Sequence, residues 1–146
     1  VAAARSGDFS AAEAQARRLQ ARSDAARANA VGVVASRYDS VTPVELEQGQ
    51  ILATALAGAI LFAQGKWDDG LDRVREAIAR ADSMAFEYGP PYSVKPLDEL
   101  LGVELERRGA WQEAAAAYRR TLTVHPNRRM AVAGLTTALG PKSPGD

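Results

Sequence analysis

The 146-residue chain has the length of one domain, and its 18 basic and 18 acidic residues cancel to a net charge of zero. A chain without a charge excess offers no global field for nucleic acid or for an anionic membrane, so we expect neither as a partner. It contains no Cys and one His. This excludes disulfides and cysteine nucleophiles, and it argues against a metal centre. Ala, Arg, Leu and Glu are frequent, which favours an all-α fold.

The longest apolar stretch runs from Ile51 to Ala63. It is shorter than the roughly 20 residues that a membrane-spanning helix needs, so no membrane insertion is expected. The sequence begins at Val1 without a signal-peptide pattern, which suggests a piece of a larger protein. The location of that protein, cytoplasmic or exported, stays open.

Three short segments share one pattern, in which a Gly is followed two positions later by an aromatic residue and then by an Ala-rich stretch. Each Gly is predicted to end a helix in the left-handed conformation, and each aromatic residue to open the next helix. Each segment therefore predicts the turn of a helical hairpin. The segments are Gly7-Asp8-Phe9, Gly65-Lys66-Trp67 and Gly109-Ala110-Trp111.

The clearest repeat runs over residues 95–126. Gly102 and Ala114 are small where two antiparallel helices must approach closely, whereas Leu105 and Tyr118 are large where the gap widens. This order of residue types resembles the tetratricopeptide repeat. The resemblance implies an α-solenoid of antiparallel helix pairs, and a weaker copy of the same pattern occupies residues 43–82.

The remaining segments are placed around these two repeats. Thr42 as N-cap, Pro43 at the first position and Glu45 three residues after the cap predict a helix start, and that helix is expected to continue to Gln64. The full organisation is a half-repeat 1–24, a helical connector 25–41, a repeat 43–82, a Pro/Tyr-rich insert 83–94, a repeat 95–126, a closing helix 127–139 and a disordered tail 140–146.

A further series of motifs resembles the C-terminal portion of a group of bacterial tetratricopeptide proteins without an assigned activity. The resemblance covers Thr42 to Leu139, and it implies a larger parent protein, often exported, with no catalytic residues. The motifs are Gly89-Pro90-Pro91, Leu100-Leu101-Gly102, Gly109 to Ala114 and Pro126-Asn127-Arg128.

The charged clusters do not indicate catalysis. Asp68 and Asp69 fall in a first helical turn, where carboxylates interact favourably with the helix dipole. Glu104 and Glu106 point to different faces and are expected to be solvated. His125 lies at a helix end without a second His or a nucleophile nearby. We therefore predict no catalytic, cofactor-binding or metal-binding residues, and no enzymatic activity.

Three features suggest protein binding, each with a structural alternative. Arginine pairs in the C-terminal third form either solvated surface or a docking face for an acidic partner or nucleic acid, although few aromatic residues lie among them to stack on bases. The first helices of the repeats expose positions that either bind a peptide or pack on a neighbouring helix, and the insert is either a stiff spacer or a contact loop. The candidate partner-binding residues are Phe62, Tyr88, Tyr92, Glu99, Arg107, Arg119 and Arg120.

Together these features predict a non-catalytic scaffold for protein–protein interaction, binding a protein or peptide. One alternative is a homo-oligomerisation module, because an exposed face of a helical array can pair with itself. The other is a small-molecule-binding accessory domain with a pocket lined by Phe62, Tyr88 or Tyr92.

Overall fold

The computed structural model describes residues 9–30, 42–84 and 95–140. The regular secondary structure within these ranges is α-helical, which confirms the predicted all-α class. The described part of the chain forms two compact units, one with helices α1 to α3 and one with helices α4 to α6. The helices are α1 (Phe9–Ala30), α2 (Pro43–Ala63), α3 (Trp67–Ser83), α4 (Leu97–Arg107), α5 (Trp111–Val124) and α6 (Arg129–Leu139).

The predicted helix boundaries agree with the structure to within a few residues in the two full hairpins. The N-terminal helix is longer than expected, because α1 continues to Ala30 and so includes the first part of the predicted connector. The rest of the connector, most of the Pro/Tyr-rich insert and the tail after Gly140 lie outside the described residues.

Glycine forms the turn of both full hairpins. Gly65 has φ +77° and Gly109 has φ +74°, a left-handed conformation that a β-carbon would strain. In the first turn the N–H of Gly65 donates to the carbonyl of Phe62 (3.0 Å), and the N–H of Lys66 donates to the carbonyl of Leu61 (2.9 Å). These bonds satisfy the last carbonyls of α2. The prediction is confirmed at both positions, and Gly7 lies outside the described residues.

The predicted capping box opens α2. The backbone N–H of Glu45 donates to Thr42 Oγ1 (3.2 Å), and the backbone N–H of Thr42 donates to Glu45 Oε2 (2.7 Å). The hydrogen bond from the Thr42 backbone lowers the pKa of Glu45 below its ordinary value. Two of the unpaired donors at the helix start are satisfied in this way, so the start of α2 is specified locally.

In the first unit, α2 and α3 approach closely through two glycines. A β-carbon at Gly58 would lie 2.7 Å from Val74 Cγ2, and one at Gly70 would lie 2.6 Å from the ring of Phe62. Neither position has room for a side chain. The ring of Phe62 also lies against that of Trp67, with centroids 5.4 Å apart. The aromatic residue that begins α3 therefore helps to hold the hairpin closed.

Helix α1 packs on another side of α2 and runs antiparallel to it. Ala12 lies against Ile60, with Ala16 and Leu56 beside them. Near the end of α2, the amide of Gln64 donates to Glu13 Oε1 (2.8 Å). The helix of the predicted half-repeat therefore packs against α2.

Helix α2 is also long and apolar enough, by length and composition, to cross a membrane. Its most apolar 18-residue window has a mean hydropathy of 1.3, and 50% of that window is buried. A helix that packs against both α1 and α3 needs a similar composition, because two of its faces are removed from water. The apolar character of α2 is therefore weak evidence for membrane insertion.

Candidate interaction surface

The second unit is organised around one buried aromatic ring. Tyr118 of α5 is 1% exposed, and its ring lies between Gly102 of α4 and Gly134 of α6. A β-carbon at Gly102 would come within 2.8 Å of the ring, and one at Gly134 would overlap it. Because neither neighbour has a side chain, the ring contacts the backbones of both helices and fixes their spacing from α5.

The hydroxyl group of Tyr118 donates to Glu106 Oε2 at 2.7 Å. Burial of the ring and this bond raise the pKa of Tyr118 above its ordinary value of 10.0, because the phenolate would lie in an apolar space beside a carboxylate. The folded unit therefore favours the neutral, protonated form of Tyr118.

The alkaline stability of the unit should depend on Tyr118. Since the folded state raises this pKa, its contribution is fully present below about pH 10 and is lost as the pH rises further. We expect the Tyr118→Phe variant to be less stable than the wild type at neutral pH, by about 1 kcal/mol for the lost hydrogen bond. The difference should shrink as the pH rises above about 10. Urea unfolding from neutral to strongly alkaline pH measures it, and a gap that widens with pH would contradict the assignment.

The start of α6 is fixed by an ion pair. Arg128, the residue before α6, donates from Nε to Glu99 Oε2 (2.7 Å) and from Nη2 to Glu99 Oε1 (3.2 Å). Glu99 is 2% exposed, and its hydrogen bond raises the pKa of Arg128. Two parallel bonds of this kind set an orientation as well as a distance, so they tie the beginning of α6 to α4.

Two acidic residues lie elsewhere than the sequence indicates. Glu99 was expected on an exposed surface of the first helix of its repeat, and Glu104 was expected to be solvated. Both are buried. Arg128, which follows α5, donates hydrogen bonds to Glu99. Arg107 donates to both oxygens of Glu104, at 2.8 and 3.0 Å. A buried carboxylate needs such a partner, and the arginines supply it.

The candidate arginines remain at the surface. Arg107, Arg119 and Arg120 are exposed, and Arg120 forms an ion pair with Asp98 at 3.0 Å. These side chains are accessible to a partner. Solvated ion pairs of this kind contribute about 0–1 kcal/mol each to stability.

Of the candidate aromatic residues, Phe62 is the one that lies within the described ranges. Phe62 is buried against Trp67 and the backbone of Gly70. Of the two interpretations of this position, peptide binding or packing on a neighbouring helix, the structure thus supports packing, because the glycine opposite leaves a space that the ring fills. Tyr88 and Tyr92 lie outside the described residues.

The most exposed apolar side chains belong to the segment that ends the second unit. Among the described residues, the large hydrophobic side chains recorded as exposed are Val124 (72%), Met130 (62%), Val132 (47%) and Leu139 (58%). All four lie at the end of α5 or on α6. The opposite side of α6 is buried against α5 through Ala131, Gly134 and Ala138.

We call the exposed side of α6 its outer face, formed by Arg129, Met130, Val132, Ala133, Thr136, Thr137 and Leu139. The hydroxyl groups of Thr136 and Thr137 donate to the carbonyls four residues earlier, at 3.0 and 3.1 Å. These bonds satisfy the two hydroxyl groups inside the helix. A partner that covers the outer face therefore needs to supply few hydrogen bonds to it.

The charges of α6 are distributed unusually. Arg129 is the one charged residue of the helix and stands at its N-terminal end, and the last turn contains no basic residue. The N-terminal end of a helix carries partial positive charge and the C-terminal end partial negative charge. Arg129 therefore adds to the positive end, and no side chain of α6 compensates the negative end.

Two further features bear on ligand binding. Within the described ranges, no group of three His, Asp or Glu side chains is placed to hold a metal ion. A surface cleft of about 300 Å³ lies where the start of α2 meets the end of α3, and Glu47 on its wall is bound to Arg80 at 2.8 Å. This carboxylate serves to join the two helices.

Helix α6 is predicted from the sequence, but its outer face is not. With one charged residue among eleven, the sequence of α6 does not distinguish an exposed side from a buried one. Comparison of the chain with protein-family models, with curated proteins and with solved structures finds no match.

Proposed function

We propose that the chain is a non-catalytic protein-interaction module built from tetratricopeptide-type helical hairpins. The repeat interpretation is supported by features common to both hairpins. Each turn has a left-handed glycine, Gly65 or Gly109, and each second helix begins with a tryptophan, Trp67 or Trp111. Each first helix also carries a glycine where its hairpin partner packs closely, as the tetratricopeptide pattern requires.

The observation that carries the proposed function is the exposed apolar outer face of α6. The side of a helix that faces water is usually lined by polar residues. Here Met130, Val132 and Leu139 are about half exposed or more. Clustered apolar side chains of this kind mark sites of protein contact.

The non-catalytic part of the proposal is supported by the roles of the buried carboxylates. Glu99 is bound to Arg128 and Glu104 to Arg107. In both pairs the arginine neutralises the carboxylate that a general acid or base would need to keep available. The Glu99–Arg128 pair instead joins the start of α6 to α4, and the Glu104–Arg107 pair lies within α4.

Site-specific photo-cross-linking tests the proposal. A photoreactive phenylalanine analogue replaces Met130 in one protein and Gln112, which is exposed on α5, in a matched control. In a bacterial lysate we expect discrete cross-linked products from position 130 and none from position 112. Adding Val132→Glu to the first protein should suppress those products, because a carboxylate would have to be buried in the contact.

The mass of each product then identifies its partner. A foreign protein joined at one defined segment supports heterologous binding through the outer face. Equal, diffuse labelling from positions 130 and 112 would show that exposure alone explains the products, and it would contradict the proposed function.

A further inference from the structure

We propose that the outer face of α6 binds the same face of a second copy of this chain, with the two helices antiparallel across a two-fold axis. The inference rests on the proposed function, because it names the partner of the face assigned there. It follows from the charges and from the side-chain sizes along α6.

The charges of α6 are complementary to those of an antiparallel copy. Arg129 lies at the positive end of its own helix dipole, which is unfavourable, and within α6 no basic side chain lies in the last turn to compensate the negative end. In an antiparallel pair, Arg129 of each copy lies beside the C-terminal carbonyls of the other. A parallel pair would instead bring the two arginines together.

The side-chain sizes are also self-complementary. The exposed residues in the middle of α6, Ala133 and Thr136, are small, whereas Met130 lies near the start and Leu139 at the end. Across a two-fold axis, the small residues of two copies face each other and permit a close approach. Val132 and Leu139 are seven positions apart and so lie on the same edge of the face, which places Val132 of one copy beside Leu139 of the other.

The size of the face indicates a weak dimer. An eleven-residue helix is about 16 Å long, and one of its faces offers less than the roughly 800 Å² per partner of a standard interface. We therefore expect a monomer–dimer equilibrium that depends on concentration. Sedimentation equilibrium from about 1 µM to about 1 mM covers the relevant range of affinity.

The wild-type mass should rise with concentration from 15.5 kDa toward twice that value. Met130→Glu/Val132→Glu places two pairs of carboxylates in the contact and should weaken association at least about 100-fold. The matched control is Gln112→Glu/Ala116→Glu, which adds the same charge at two exposed positions of α5. We expect the control to dimerise like the wild type.

The Arg129→Glu variant distinguishes an effect on dimerisation from an effect on the stability of α6. An acidic residue at the first position of α6 should stabilise the helix by interacting with its positive end, so the melting temperature should stay the same or rise. In the antiparallel dimer the same carboxylate would face the partner's C-terminal carbonyls, and we expect association to weaken about tenfold. A general folding defect would lower both quantities together.

Orientation is tested with single cysteines, since the chain contains none of its own. Val132→Cys and Leu139→Cys proteins, when mixed, should form a mixed disulfide dimer faster than either protein forms a disulfide with itself. Faster self-linkage of either protein would contradict the antiparallel arrangement.

The outcomes separate this inference from the proposed function. A wild type that stays monomeric up to about 1 mM, or an Arg129→Glu variant that dimerises as tightly as the wild type, overturns the inference. If position 130 then still cross-links to a foreign protein, the proposed function stands without it. A dimer that is lost in Met130→Glu/Val132→Glu and retained in the α5 control supports the inference.

Discussion

Replacing Tyr118 with Ala is expected to destabilise the second unit by about 3–5 kcal/mol, the range for removing a buried aromatic side chain. The ring is 1% exposed and lies between Gly102 of α4 and Gly134 of α6. Gly102 and Gly134, which flank it, have no side chains that could move into the vacated space. The cavity should therefore stay largely open. Small domains have a total stability of about 5–15 kcal/mol, so the loss should be severe.

The two tryptophans allow this loss to be measured within the unit that contains Tyr118. In a Trp67→Phe background, the remaining Trp111 reports on α5, where Tyr118 also lies. Guanidinium unfolding followed by the fluorescence of Trp111 should show a large shift for Tyr118→Ala. Tyr118→Phe is the matched control, since it keeps the ring and should cost about 1 kcal/mol. Equal effects of the two substitutions would contradict the packing role of the ring.

The features that could be predicted from the sequence depend on a few neighbouring residues. The left-handed conformations of Gly65 and Gly109 follow from the type of residue and its place after a helix. The capping box of Thr42 and Glu45 is likewise complete within four residues. Local chemistry therefore determines where α2 begins and where each of the two full hairpins turns.

The features that could not be predicted depend on residues far apart in the chain. The sequence alone indicates an exposed Glu99, because its ion-pair partner Arg128 is 29 positions away in the chain. For Phe62 the sequence leaves open a peptide-binding position or the core, and the contact with Gly70 of α3 places the ring in the core. In both cases burial follows from a tertiary contact, and for Glu99 the residue type alone favours the surface.

The outer face of α6 escaped prediction for a different reason. A helix normally shows its buried side by an apolar stripe and its exposed side by a polar one. In α6 the residues of both sides are small or apolar, and Arg129 is the only charge. The buried side became clear only from the contact of Gly134 with Tyr118, so the opposite, exposed side could not be recognised before the structure.

Arg128→Ala is expected to destabilise the second unit by about 3 kcal/mol, the lower end of the range for removing one partner of a buried ion pair. Glu99 would remain buried without a partner, which is the main cost. The lower end applies because the Arg128 side chain is 34% exposed, so water can reach the vacated site. Guanidinium unfolding followed by Trp111 fluorescence measures the change.

A double-mutant cycle shows whether this cost belongs to the pair. We expect Glu99→Gln/Arg128→Ala to be more stable than Arg128→Ala alone, because the neutral amide removes the unpaired charge; the coupling should be at least about 1.5 kcal/mol. A double variant as unstable as the sum of the single variants would contradict the ion pair. Since Arg128 fixes the start of α6, the same Arg128→Ala variant should also dimerise more weakly while its outer face is chemically unchanged. The pair would then position the interaction surface as well as stabilise the fold.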